Sequence, residues 1–156
     1  MIEDGATPKP RTRATQTHTL VKALKGVPTF GACDDPTLLQ IVGDSVNLVW
    51  AAGARVFENE TPSSGLFVVL NGRVRVLGAD GAELAELGPG EHFGEQSLLL
   101  GTTHRHTVET LEHSELMVLP KERFDALLDE HPELAKEIRR KADERMAMNR
   151  GDTPSD

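Results

Sequence analysis

The feature that most constrains this chain is a run of short apolar segments, separated by turn residues, between Val46 and Leu119. The segments are VNLVW, ARVFE, LFVVL, RVRVL, AELAEL, the stretch 104–110 and ELMVL, with AG, NG, ADG and GPG at the joints. This alternation is typical of a many-stranded antiparallel domain. The spacing of AELAEL suits a helix as well as a strand, and its position between two glycine-containing turns favours the strand.

Helical patterns flank this β region on both sides. Before it, residues 20–24 and 38–42 predict two short helices around a Pro28-Thr29-Phe30 turn, the second opened by Asp34-Asp35-Pro36. After Pro120, a first helix carries apolar residues at 3.6-residue spacing, and Pro132 opens a second. In that second helix the apolar residues recur every four positions, at Leu134, Ile138, Ala142 and Met146. The fold class predicted is mainly β with flanking helices.

The length of 156 residues fits one domain with tails. Residues 1–17 contain Pro8 and Pro10 and no apolar periodicity, so they are predicted to form a flexible tail. The folded domain is predicted over residues 18–148, and residues 149–156 are predicted to be a second flexible tail.

Charge and composition exclude several classes of partner. The formal net charge is -8, so no overall positive field attracts DNA or an anionic membrane. The basic triplet 139–141 is surrounded by acidic residues, which favours a solvated helix face. A single cysteine, Cys33, no secretory signal and no apolar run long enough for a membrane span predict a cytoplasmic protein.

The segment GPGEHFGEQSLLL, followed by His104-Arg105-His106, is the most informative for function. A glycine turn leading into a short helix exposes backbone N–H groups, which favour an anion such as phosphate. Glu95 would repel a nearby phosphate, so its carboxylate is better suited to accept hydrogen bonds from hydroxyl groups such as those of a ribose. A guanidinium a few residues later could hold the other side of the anion.

These residues resemble the cyclic-nucleotide-binding domain family, which includes the regulatory domains of the catabolite activator protein and of cyclic-AMP-dependent kinase. The resemblance covers roughly residues 20–146 and includes VFENETPSSGLFVVLNGRVRVL and LGPGEHFGEQSLLL, the latter similar to the phosphate-binding cassette of the family. It implies an antiparallel eight-stranded β-roll with a bundle of N- and C-terminal helices. It also implies ligand contacts, with cAMP or cGMP as the ligand and no other cofactor, at Phe93, Gly94, Glu95, Gln96, Ser97, His104, Arg105 and His106.

The phosphate-binding arginine of the family has two possible counterparts here. If Thr107-Val108 takes the place of the Thr-Val of the family without a gap, His104 lies at the arginine position and the pocket is impaired. If the preceding loop is one residue longer, Arg105 is the phosphate ligand and His106 follows it. Strand alternation puts His104 and His106 on one face and Arg105 on the other, so only one set can line the interior.

Two classes of function remain open from the sequence. The first is a non-enzymatic sensor of a cyclic nucleotide, cAMP rather than cGMP because position 106 lacks the Ser or Thr common in cGMP-selective members. It would act through an unidentified effector protein or a second copy, with a homodimer through the C-terminal helix as one arrangement. The second is a β-roll without ligand that serves protein interaction or assembly.

An enzyme and a metal site are less well supported. No serine has an evident His/Asp arrangement around it that would make it a nucleophile. Cys33 lies beside two aspartates, which disfavour its thiolate form. His104, His106 and Glu109 resemble the metal ligands of cupins, yet alternation puts Glu109 on the opposite strand face. The sequence therefore predicts neither catalysis nor a bound metal.

Overall fold

The computed structural model describes residues 10–151, with side chains up to residue 145. The helices in this part of the chain are α1 (Thr17–Lys25), α2 (Asp35–Asp44), α3 (Glu95–Leu100), α4 (Lys121–Glu130) and α5 (Pro132–Gly151). The strands are β1 (Arg11–Thr12), β2 (Val46–Trp50), β3 (Arg55–Phe57), β4 (Gly65–Asn71), β5 (Val74–Leu77), β6 (Glu83–Leu87), β7 (His92–Phe93), β8 (Thr107–Thr110) and β9 (Ser114–Pro120).

The strands of the described region form two antiparallel sheets. One has the order β1-β2-β9-β4-β7 and the other β3-β8-β5-β6. Their facing sides enclose one apolar cluster, which includes Trp50, Phe67 and Leu116 from the first sheet and Val74 and Val108 from the second. The predicted class, a β-roll with flanking helices, is therefore confirmed, and the AELAEL segment forms strand β6.

Strand β4 is buried on both faces, because the first sheet lies between the other sheet and the helices. Phe67 and Val69 point into the roll. Leu66 and Val68 point to the opposite side, where they join a second cluster with α1, α2, α4 and α5. Continuous apolar sequence, rather than strict alternation, is what a strand covered on both sides requires.

The four predicted flanking helices form where the sequence placed them. Asp34 caps α2 by accepting a hydrogen bond from the backbone N–H of Thr37 at 3.0 Å. In α5, the predicted stripe of Leu134, Ile138 and Ala142 is buried within this chain. The side chain of Met146, the fourth member of that stripe, lies outside the described residues. The stripe therefore packs against the domain itself, as an amphipathic helix requires.

The two ends of the domain differ from the sequence-based boundaries. Arg11–Thr12, predicted to lie in a tail, forms β1 against Val49 and Leu48. The physical reason is the buried carboxylate of Glu115, which accepts a hydrogen bond from the Thr15 hydroxyl at 2.9 Å and holds the segment against the sheet. At the other end α5 continues through Gly151, so residues 149–151, predicted to belong to the second tail, are part of this helix. Residues 1–9 and 152–156 of the predicted tails lie outside the described residues.

None of the helices within residues 10–151 has the length and apolar character needed to cross a membrane.

Candidate functional site

A cavity of about 460 Å³ lies at one end of the roll. Its floor is the segment of β7 and α3, one wall is β6, another wall is the chain leading into β8, and α5 closes part of its opening. This volume is within the usual range for small-molecule sites. The eight residues predicted to contact a ligand, 93–97 and 104–106, all line it.

The turn into α3 has a backbone conformation that glycine adopts readily. Gly94 has a φ of +93° and precedes the first residue of the helix. A Cβ at this position would lie 2.7 Å from the carbonyl oxygen of Gly65. Gly94 therefore allows β4 and the turn to approach closely, and the first N–H groups of α3 have no acceptor within the helix itself.

Glu95 is the buried carboxylate of the cavity, with 1% of its surface exposed. Its Oε1 lies 3.2 Å from Nδ1 of His92, and its Oε2 accepts a hydrogen bond from Arg145 at 2.9 Å. Burial alone would raise the pKa of Glu95, but the hydrogen bond to His92 and the charge of Arg145 outweigh it and hold the pKa below its usual value. The carboxylate is thus ionised and linked to helix α5.

His104 lies inside the roll with 2% of its surface exposed. Its ring is stacked on Phe57, with ring centroids 3.5 Å apart and planes 4° from parallel. Its Nδ1 lies 3.2 Å from the Ser97 hydroxyl. Burial lowers the pKa of His104 to about 4, so the imidazole is neutral at pH 7.

Arg105 and His106 occupy different surroundings from His104. Arg105 is exposed at the mouth of the cavity, and His106 is partly buried beside it. Burial and the charge of Arg105 lower the pKa of His106. Of the two faces that strand alternation separates, the one with His104 therefore turns into the roll, whereas Arg105 is exposed.

The remaining predicted residues divide between packing and the cavity wall. Phe93 is buried and stacks on Phe67, with ring centroids 5.1 Å apart. Gln96 is partly buried on α3. Ser97 is buried and contacts His104. The cassette residues are therefore brought together, although Phe93 also belongs to the core of the roll.

The cupin-like metal arrangement is not formed. Glu109 accepts hydrogen bonds from Arg75 at 2.9 Å and from Arg55 at 3.2 Å. The hydrogen bond from Arg75 is the largest cause that lowers the pKa of Glu109; burial opposes it, and the hydrogen bond from Arg55 adds to the lowering. Among the described residues, no group of three or more His, Cys, Asp or Glu side chains is placed to hold a metal ion.

Several residues that line the cavity were not predicted as ligand contacts, among them Phe57, His92 and Arg145. His92 lies within the cassette segment itself, whereas the sequence around Phe57 carries no sign of a binding role. Arg145 lies 50 residues after its partner Glu95. A signal for Arg145 was present, because it follows Ala142 by three positions and therefore continues the buried stripe of α5.

Comparison with known proteins gives one family. The family model described as the cyclic nucleotide-binding domain matches residues 48–131. A curated relative, the lysophospholipase NTE1 of Kluyveromyces lactis, is 35% identical over 101 residues, which cover 60% of this chain and 7% of that protein. The chain thus spans only a small part of this relative.

Solved structures share the fold. The regulatory domain of Toxoplasma gondii PKA with cAMP has a TM-score of 0.75 and 16% identity, covering 82% of this chain and 50% of that chain. The regulatory subunit of a cAMP-independent protein kinase A from Trypanosoma cruzi, bound to guanosine, has a TM-score of 0.68 and 24% identity, covering 72% and 41%.

Proposed function

Because this chain belongs to the cyclic nucleotide-binding domain family, we propose that it is a non-catalytic regulatory module whose cavity binds a purine nucleotide or nucleoside. Occupancy of the cavity is passed on through α5 to an effector protein or to a second copy. The lysophospholipase activity named for the NTE1 relative is not proposed for this chain, since the match spans 7% of that protein.

The observation that carries this proposal is the cavity beside the buried cassette. Glu95 supplies an ionised acceptor, and the first turn of α3 supplies backbone donors. Apolar side chains, among them Phe57, Val76 and Leu87, line the same space and offer surface to a flat ring. The two solved neighbours hold cAMP and guanosine, so the fold accommodates both a cyclic nucleotide and a nucleoside.

Adenine derivatives are the preferred ligands in this proposal. Neither position 105 nor position 106 carries the Ser or Thr that is common after the arginine in cGMP-selective members of the family. Adenosine and cAMP are therefore expected to bind more tightly than guanosine and cGMP.

Coupling to α5 arises at Glu95, because a ligand hydroxyl and Arg145 share the same carboxylate. A carboxylate accepts about four hydrogen bonds, and His92 and Arg145 occupy two of these positions. A ligand that binds the remaining positions changes the free energy of the contact between Glu95 and α5. By linkage, a partner that moves α5 changes the ligand affinity by the same factor.

Calorimetric titration with adenosine, cAMP, guanosine and cGMP tests the proposal. Glu95→Gln is expected to lower the affinity for the best ligand about ten- to hundredfold, because it removes a charge-assisted hydrogen bond. Arg145→Ala is expected to change the affinity, whereas Arg123→Ala, on an exposed position of α4, is the matched control. If none of the four compounds binds at millimolar concentration, the proposal is wrong and a ligand-free assembly module is the better description.

A further inference from the structure

The carboxylates that line the cavity all have partners within the chain. Their partners are an arginine in three cases and a backbone N–H in the fourth: Glu86 with Arg73, Glu91 with the N–H of Gly88, Glu95 with Arg145, and Glu144 with Arg140. Each of these acidic groups therefore has a hydrogen-bond donor before any ligand is bound.

Two cations that line the same cavity have no such partner. Arg105 lies on the chain leading into β8, and Lys141 lies on α5. Neither side chain forms an ion pair or a hydrogen bond with any residue that the structure describes. Although the net charge of the chain is -8, two positive charges at this cavity are thus left without an acidic partner, and they favour an anionic ligand.

The contact between α5 and the cassette determines which face of the helix looks into the cavity. Arg145 donates a hydrogen bond to Oε2 of Glu95 at 2.9 Å. Lys141 precedes Arg145 by four residues, about one helical turn, so the two side chains lie on the same helix face. Ala142 is buried beside them, which holds this part of α5 against the domain. Lys141 is therefore presented to the cavity by a helix that is already in place.

One carboxylate on α5 lies close enough to be affected by the charge of Lys141. The pKa of Glu137 is lowered first by the hydrogen bond from Arg140, against the opposing effect of burial, and then by the charges of Arg140 and Lys141. Its two oxygens accept hydrogen bonds from Arg140 at 3.2 and 2.6 Å. The three donors of the Lys141 ammonium group are not used by Glu137.

We propose that Lys141 is a ligand-binding residue, and that Lys141 and Arg105 hold the anionic group of a purine nucleotide between α5 and the roll. A lysine binds phosphate as a point charge, and an anion between cations on two elements favours the arrangement in which both elements lie beside it. An anionic ligand therefore stabilises α5 across the cavity, whereas a nucleoside cannot make this contact. This inference rests on the proposed function, because it adds a residue to the same cavity and assigns the charge of its ligand.

Calorimetric titration of the full chain with cAMP and with adenosine tests this role, because the two compounds differ in the cyclic phosphate. In the wild type, cAMP is expected to bind at least about tenfold more tightly than adenosine. Lys141→Met removes the charge and keeps a long side chain that suits a helix. It is expected to weaken cAMP binding about three- to tenfold, between the contribution of an exposed ion pair and that of a buried hydrogen bond to a charged group. Adenosine binding is expected to change by less than about twofold.

Lys136→Met is the matched control. Lys136 is exposed on the same helix and does not line the cavity. Its replacement changes the net charge of the chain by the same amount, so it reports the long-range attraction of the ligand alone. Lys136→Met is expected to leave the affinities for both compounds within about twofold of the wild type.

Hydrogen exchange of the backbone of α5 provides a second readout. At equal occupancy, cAMP is expected to slow exchange over residues 138–145 of the wild type more than adenosine does. Lys141→Met is expected to remove this difference between the two ligands. Equal protection by both ligands in the wild type would show that the anionic group does not hold α5, and the inference would be wrong.

The outcomes for the two proposals are distinct. If Lys141→Met and Lys136→Met affect cAMP binding equally, or if adenosine binds the wild type as tightly as cAMP, the role of Lys141 is refuted while the proposed binding function stands. Equal weakening of cAMP and adenosine by Lys141→Met would indicate a structural role and would also refute it. If the guanine compounds bind more tightly, cGMP and guanosine replace the adenine pair. If none of the four compounds binds, both proposals are wrong.

Discussion

Lowering the pH from 7 to 5 is expected to destabilise the folded protein through His104. The pKa of this histidine is lowered by burial from 6.5 to about 4 in the folded state, whereas in the unfolded chain it returns to its ordinary value. Between these two values the unfolded state binds a proton that the folded state does not bind. The free energy of unfolding therefore falls as the pH falls through this window.

The size of the effect follows from the shift. Each pKa unit corresponds to about 1.4 kcal/mol, so His104 removes about 2 kcal/mol from the free energy of unfolding by pH 5 and about 3 kcal/mol by pH 4. His106 also has a lowered pKa and acts in the same direction. The pKa of Glu95 is lowered as well, so protonation of this carboxylate destabilises the fold at still lower pH, below its ordinary value of 4.5.

Urea denaturation at pH 7 and at pH 5, on the wild type and on His104→Phe, separates these contributions. His106 and Glu95 are present in both proteins, so the difference between the two pH dependences belongs to His104. The wild type is expected to lose about 2 kcal/mol more than the variant over this range. Equal losses in the two proteins would show that His104 is protonated as easily in the folded chain as in the unfolded one, and the neutral imidazole assigned to the cavity would be wrong.

Two further predictions concern the scaffold and are measured by urea denaturation at pH 7. Gly94→Ala is expected to lower the free energy of unfolding by more than about 2 kcal/mol, because φ is +93° and the new Cβ would lie 2.7 Å from the Gly65 carbonyl oxygen. Gly53→Ala is the control, since Gly53 has a φ of +78° and no atom lies within 4 Å of its Cβ position. It is expected to lower the free energy of unfolding by about 1 kcal/mol. Similar losses at both sites would contradict the close approach. Phe124 is fully buried between the helices and the sheet, so Phe124→Ala is expected to lower the free energy of unfolding by about 3–5 kcal/mol. Leu39→Ala, at an exposed position, is the control and is expected to lower it by less than about 1 kcal/mol. An equally small loss for Phe124→Ala would show that this core is not packed as described.

Most of the fold could be predicted because it depends on local signals. Glycine and proline mark the turns, and Asp34 and Pro132 mark helix starts that the structure confirms. β4 illustrates a limit, because a continuous apolar run indicates burial on both faces without naming the elements that cover it. Its two apolar faces are explained only by the second sheet packed on one side and the helices packed on the other.

The cavity was harder to predict because it depends on contacts between distant segments. The alternation of residues 104–110 leaves two registers, and periodicity alone cannot choose between them. In the structure the backbone of His104 pairs with a turn more than 40 residues earlier: Glu60 N–H donates to the carbonyl of His104 at 2.8 Å, and His104 N–H donates to the carbonyl of Thr61 at 2.8 Å. The N-terminal strand was missed for a related reason, since Thr15 is held by Glu115, 100 residues away.

The buried carboxylate of Glu95 links the choice of ligand to the position of α5. Because Arg145 neutralises Glu95 only while α5 lies across the cavity, removing α5 leaves a buried negative charge without its cation. A second anion in the cavity would add to that cost, whereas an uncharged nucleoside whose hydroxyls donate to Glu95 would reduce it. Ligand charge and helix position are therefore not independent properties of this site.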